Sequence, residues 1–194
     1  GSLRSPRPLS ASWFGSSIAL DASRIVVGEP LARASGVRSG AVWSWTRGEA
    51  PLEASRFEPP HAADGLGFGM TLALGGDWLV VGAPGHDGTD AAAPVEDCGM
   101  AVAYPLADGA SPRMLGARAP LESSLLGASV AIHGDGHGAW AFAGHLYVEE
   151  ESVRPSPGVA VFALTPRWEA AAETDPPDTS DRASASSPRR SRRR

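Results

Sequence analysis

Three times along the chain, apolar residues alternate with small ones, break at a polar turn, and resume as a denser apolar run ending in glycine. The alternating runs are SSIAL (16–20), MTLAL (70–74) and ASVAI (128–132), and the turns are DAS, GGD and HGDGHG. The denser runs are RIVVG (24–28), WLVVG (78–82) and AWAFAG (139–144). A period of two marks a strand, because successive side chains leave it on opposite sides. Ile18 and Leu20 therefore share one side, and Ser17 and Ala19 the other. Each pair of runs predicts a hairpin. A loop of variable length follows (29–39, 83–98, 145–157). Next comes a third strand introduced by Gly40, Gly99 or Gly158, and then a weaker fourth at 52–58 and 112–118.

Phe14-Gly15, Phe68-Gly69 and Leu126-Gly127 register the copies, at a period of roughly 55 residues, in the range of repeat architectures. The step from Phe14 to Gly28 equals the step from Phe68 to Gly82. From Leu126 to Gly144 it is longer by four, and the additional residues are assigned to the HGDGHG turn. Four short strands per repeat at this period predict a propeller blade; β-helix rungs are shorter and helical solenoids show the periodicity of a helix. The expected fold is all-β, a partial β-propeller of three four-stranded antiparallel blades at 12–59, 60–119 and 120–168. Residues 1–11 read as the end of an earlier blade or a linker. Residues 169–194 are polar, rich in Pro and Ser, and expected to form a disordered Arg-rich tail. A closed propeller needs at least four blades. Three leave an apolar face open at each end, so the chain is expected to be a section of a longer propeller or a subunit that associates with itself. The missing initial Met and the strand-like RPLSAS at 7–12 favour a section.

These repeats resemble the FG-GAP repeat of integrin α-subunits, in its bacterial form with simplified loops. Phe14-Gly15 with Gly28-Glu29-Pro30, and Phe68-Gly69 with Gly82-Ala83-Pro84, carry the likeness; GAVWSWTRGE at 40–49 is similar to the family's third strand. In the third copy Leu126 replaces Phe, and Gly144-His145-Leu146 stands where Gly-Ala-Pro would be. The resemblance covers about residues 12–168 and implies a seven-bladed parent architecture. It also implies a non-catalytic role in adhesion or binding at the cell surface or outside the cell, with protein or glycan ligands held by inter-strand loops. A propeller family built around Val-Trp-x-Trp-Gly is the alternative for 41–46, but Thr46 stands in place of its Gly. An accessory or catalytic propeller domain of an extracellular lyase or glycosidase is the alternative function.

Composition narrows the classes. No apolar run approaches the roughly 18 residues that a transmembrane helix needs, so none is expected. RRSRRR at the end holds five of the 17 basic residues; residues 1–188 carry 12 basic against 22 acidic, a net of −10. An acidic body does not attract nucleic acid, and the basic end reads as a solvated tail. All 17 basic residues are Arg, which reads as coding bias ahead of Arg-specific chemistry.

Candidate sites are few. The likeness to integrin blades directs attention to calcium in the loop before the third strand. Asp87, Asp90, Glu96 and Asp97 are available, but the alternating Asp-x-Asp that clusters oxygens around Ca²⁺ is missing and Pro94 interrupts the loop. The first loop offers only Glu29, and in the third Glu149, Glu150 and Glu151 are adjacent, so their side chains diverge. His133, Asp135 and His137 lie among glycines and read as a turn rather than a zinc site. Gly65, Gly67 and Gly69 open a strand, not a phosphate-binding helix. The single cysteine, Cys98, reads as a small buried apolar residue, because Glu96 and Asp97 raise rather than lower a thiol pKa. Trp13, Trp43, Trp45, Trp78, Trp140 and Trp168 read as packing residues rather than a sugar platform, with Trp43 and Trp45 on one strand face. No catalytic, cofactor-binding or metal-binding residue is assigned.

Overall fold

The computed structural model describes residues 2–48, 53–90, 93–106, 111–118, 120–135, 138–146 and 157–164. Among them there is no helix, and thirteen strands form three antiparallel sheets and one ribbon. Sheet I is β1 (Ile18–Leu20), β2 (Arg24–Glu29), β3 (Ala41–Thr46) and β4 (Ala54–Phe57), in that order across the sheet. Sheet II contains β5 (Thr71–Gly75), β6 (Trp78–Ala83), β9 (Met100–Pro105) and β10 (Arg113–Leu115), again meandering outward in chain order. Between β6 and β9 a two-stranded ribbon pairs β7 (Gly88–Asp90) with β8 (Ala93–Val95). Sheet III is β11 (Ser129–Asp135), β12 (Gly138–His145) and β13 (Gly158–Ala163).

The hairpins form where alternation predicts them, and their turns have local causes. Asp21 Oδ1 accepts the backbone N–H groups of Ser23 and Arg24, each at 2.7 Å, which fixes the β1–β2 reversal. Sheet III shows three strands among the described residues; the segment after Leu164 that would supply its expected fourth, the expected tail and Trp168 lie outside them. Two details differ from the sequence reading. The HGDGHG insertion does not widen the turn. It lengthens both strands, pairing His133 with Trp140, Gly134 with Ala139 and Asp135 with Gly138, because each added pair satisfies backbone groups that a loop would leave to water. Gly158 is also one place out of register with Gly40 and Gly99. Gly28 pairs with Val42 and Gly82 with Ala101, two residues past those glycines, whereas Gly144 pairs with Val159, one past Gly158.

The sheets pack face to face. Val26 and Val42 of sheet I meet Leu79, Val81, Val102 and Tyr104 of sheet II, with Phe68 between them. On the other face of sheet II, Val80, Ala101 and Ala103 meet Ala139, Ala141 and Ala143 of sheet III, with Leu126 in the layer. Alanine on both sides lets these backbones approach closely.

One joint is built twice. The residues before and after Phe68, Gly67 and Gly69, have φ of 66° and 92°; around Leu126, Leu125 and Gly127 have 52° and 88°. This loop presses the apolar side chain inward and turns the next glycine's carbonyl toward the preceding sheet. Ser17 Oγ donates to Gly69 O at 2.6 Å, and Thr71 Oγ1 donates to Gly127 O at 2.7 Å. Phe68 bridges Gly40 and Leu126 bridges Gly99, each in parallel. Beneath each carbonyl lies a bare glycine, Gly28 or Gly82, where a Cβ would collide with that oxygen.

Candidate functional site

The loop between second and third strands leaves a cleft beside the outer strand in sheets I and II. The cleft of sheet I holds about 330 Å³ and is lined by Arg7, Leu9, Glu29, Arg33, Trp43 and Arg56. Glu29 ends β2, at the position of Ala83 in β6. Its side chain is buried, and Oε2 accepts Trp43 Nε1 at 2.6 Å and Ser5 Oγ at 3.1 Å. Its other oxygen, Oε1, is buried with no hydrogen-bond partner among the described residues. Arg56 lies over the Trp43 ring at 5.3 Å, pairs with Glu58, and donates to the Arg33 carbonyl at 2.6 Å. The result is a cleft whose accessible lining is mostly apolar, with an aromatic floor, one incompletely paired carboxylate and three arginines among its lining residues.

Glu29 and Trp43 act as a unit. Glu29→Ala should destabilise the chain by about 1–3 kcal/mol, because it strands a buried indole N–H. Glu29→Gln keeps a carbonyl acceptor and should cost clearly less. Equal losses in denaturant titrations of the two variants would show that Trp43 does not depend on this acceptor.

The cleft of sheet II holds about 290 Å³, and His86, Gly88, Cys98, Met114, Arg118 and Pro120 are among its lining residues. Cys98 is buried, and its thiol donates to the His86 carbonyl at 3.4 Å. Burial pushes the thiol pKa up, and Asp87 and Asp97 add to the effect. Burial also pushes the His86 imidazole below its ordinary 6.5, opposed by Asp87 and assisted by His61. Both groups stay neutral near pH 7, so the thiol is not activated as a nucleophile. Two outcomes follow. The thiol should react slowly with an aromatic disulfide reagent in the folded chain and promptly in denaturant; fast reaction of the folded chain would contradict the burial. Since His86 titrates lower folded than unfolded, its contribution to stability is complete above about pH 6.5 and is lost as pH falls below it. The denaturation midpoint should drop on that side, and less so in His86→Gln.

The remaining sequence candidates disperse. Asp87 Oδ1 accepts the Asp97 N–H at 2.9 Å, closing the loop rather than facing outward with it. Asp90 belongs to the β7–β8 ribbon, so the segment expected to be an open loop is partly paired strand. Glu96 is exposed. His133 and Asp135 lie in β11, while His137 and Glu149, Glu150 and Glu151 lie outside the described residues. Among the described residues no group of three or more His, Cys, Asp or Glu could hold a metal ion. Gly65, Gly67 and Gly69 all have positive φ in the loop leading into β5. Trp43 and Trp45 are buried on one face, and Trp78 is half-buried beneath Arg113 at 5.2 Å. Trp13 and Trp140 are exposed and do not pack in a core, since no sheet among the described residues covers them. The reading of Glu29 as one more loop carboxylate missed its burial. The signal was its departure from Ala83 at the matched position, with Trp43 standing where sheet II has Val102.

No family model matches this chain, and no curated protein matches it.

Proposed function

We propose that the chain is a three-blade section of an FG-GAP-type β-propeller, serving as a non-catalytic protein- or glycan-binding module of a secreted or surface protein. The observation that carries this reading is the joint made twice from the same atoms at matched positions: a hydroxyl of the first strand on the carbonyl of the next sheet's glycine. Equal joints imply equal rotations between successive sheets, which is how a propeller is generated. The frame repeats while the loops differ: the corresponding clefts offer Glu29, Trp43 and Arg56 in one sheet, and His86, Cys98 and Met114 in the next. Varied surface on a constant scaffold suits recognition. The surface location rests on the family likeness alone.

The test is to probe glycan and peptide arrays with the full chain. Binding to a defined glycan or peptide, weakened by Arg33→Ala without loss of folded structure, is the expected result. Cleavage of the bound glycan would overturn the non-catalytic reading in favour of an enzyme domain.

A further inference from the structure

We propose that the outward face of sheet III receives the Phe14-Gly15 end of a second copy of this chain, so that two copies close head to tail into a ring of six sheets. The inference rests on the propeller reading and adds the occupant of its open ends.

Sheet III carries a third copy of the socket. Ser129 occupies the position of Ser17 and Thr71, and Gly144 that of Gly28 and Gly82. A Cβ on Gly28 or Gly82 would meet both the hydroxyl and the next sheet's carbonyl; on Gly144 it would meet only Ser129. The donor and the bare glycine are in place, and the carbonyl is supplied by nothing among the described residues.

The other end of the chain carries a third copy of the plug. Trp13 and Gly15 flank Phe14 with φ of 59° and 91°, matching Gly67 and Gly69 around Phe68. Gly15 N donates to Gly28 O at 2.9 Å, as Gly69 N donates to Gly82 O at 3.1 Å. A Cβ on Gly69 would press on the Ala41 carbonyl of the preceding sheet, whereas nothing lies within 4 Å of the Gly15 position.

The faces complement one another in the same way. Val159 (63% exposed) and Val161 (54%) stand where Ala101 and Ala103 are buried against sheet III. Ile18 (61%) and Leu20 (64%) stand where Leu72 and Leu74 pack against the layer between sheets I and II. Both patches are apolar and belong to opposite ends of one chain.

The outer edges complement too. Sheets I and II have fourth strands, while β13 has no described neighbour on its outer side. Leu3 precedes Phe57 by one full repeat, the same step that separates Phe14 from Phe68. It packs on the Val27, Trp43 and Trp45 cluster as Phe57, in β4, packs on Tyr104 of the following sheet. Residues near Leu3 thus take the place of an outer strand belonging to a blade ahead of sheet I. In the ring, that blade is sheet III of the partner. Two heterologous contacts of this kind close a dimer when the rotations match, and six blades fall within the usual four to eight.

Sedimentation equilibrium of the full chain tests this. The expected result is a species of twice 20.0 kDa, shifting at least tenfold toward monomer in Val161→Arg and in Ile18→Arg. Both side chains are exposed in the single chain, so the variants should fold; unchanged near-ultraviolet circular dichroism checks that. A monomeric wild type, an open ladder of larger species, or a dimer indifferent to both arginines would overturn the proposal. Gly82→Ala reads the underlying propeller joint separately, within one chain. If it unfolds more easily than wild type while wild type stays monomeric, the self-association fails and the propeller reading stands. If Gly82→Ala unfolds like wild type, the propeller reading itself fails.

Discussion

Replacing Phe68 by alanine should lower the unfolding free energy by about 3–5 kcal/mol, a large part of the roughly 5–15 kcal/mol that holds a typical domain together. Phe68 is fully buried and heads the largest buried side chains. It is not inside one sheet; it fills the layer between sheets I and II, with Tyr104 edge-on at 6.0 Å. Its backbone N–H donates to Ser39 O at 3.0 Å and bridges Gly40, so the loop cannot slide inward to fill the void. Phe14→Ala is the internal comparison. Phe14 repeats the motif and stacks edge-on to Trp45 at 6.2 Å, but within one chain it is only half-buried, with no sheet ahead of it among the described residues. Its loss should cost about 1 kcal/mol from partial burial. The two midpoints, measured on the dissociated single chain, decide the matter: comparable losses there would mean that Phe68 is not clamped between sheets.

The ratio between those two effects shows what was legible in the sequence. Alternation and spacing predict every hairpin of the three sheets, because strand periodicity is local and each hairpin closes within a few residues. The order of strands within each sheet followed for the same reason. Burial was not local. Ile18 and Leu72 hold matched positions in two copies, yet the first is exposed and the second packs against a neighbouring sheet. Only the position of a copy within the row of sheets tells them apart. Trp140 and Trp78 differ in the same way. Glu29 was hidden for another reason: a buried carboxylate needs partners, and Ser5 and Trp43 come from 24 residues earlier and 14 later. The third-strand register slipped because Gly158 was aligned by identity, whereas the ladder counts pairs from Gly144. Asp90 looks like loop in the sequence because a ribbon of three residues per strand has too few positions to show a period.

Gly82→Ala should destabilise by about 2–4 kcal/mol, the sum of an overpacked joint and a lost hydrogen bond, against the direction that residue preference gives. Inside a strand alanine is ordinarily better than glycine by roughly 0.5–1 kcal/mol. Gly82 is not among the positive-φ residues, so nothing in its own backbone demands glycine. The demand comes from across the joint, where a Cβ would collide with Thr71 Oγ1 and with the Gly127 carbonyl. The threonine can rotate away at the cost of its hydrogen bond, about 1 kcal/mol. The carbonyl cannot, because Gly127 N is tied to Gly144 O at 3.0 Å and Leu126 N to Cys98 O at 3.0 Å. Sheet III must therefore back away from sheet II, and overpacking of this kind costs about 1–3 kcal/mol. Two glycines calibrate the measurement. Gly116, with nothing within 4 Å of a Cβ, should accept alanine freely; Gly144, with only the Ser129 hydroxyl to displace, should lose little within a single chain. Urea midpoints of the dissociated single chain ordered Gly116, Gly144, then Gly82 from most to least stable would show that these glycines are set by the neighbouring sheet. Equal midpoints for all three would mean that sheets II and III do not meet at this carbonyl, and the repeating joint would lose its second instance.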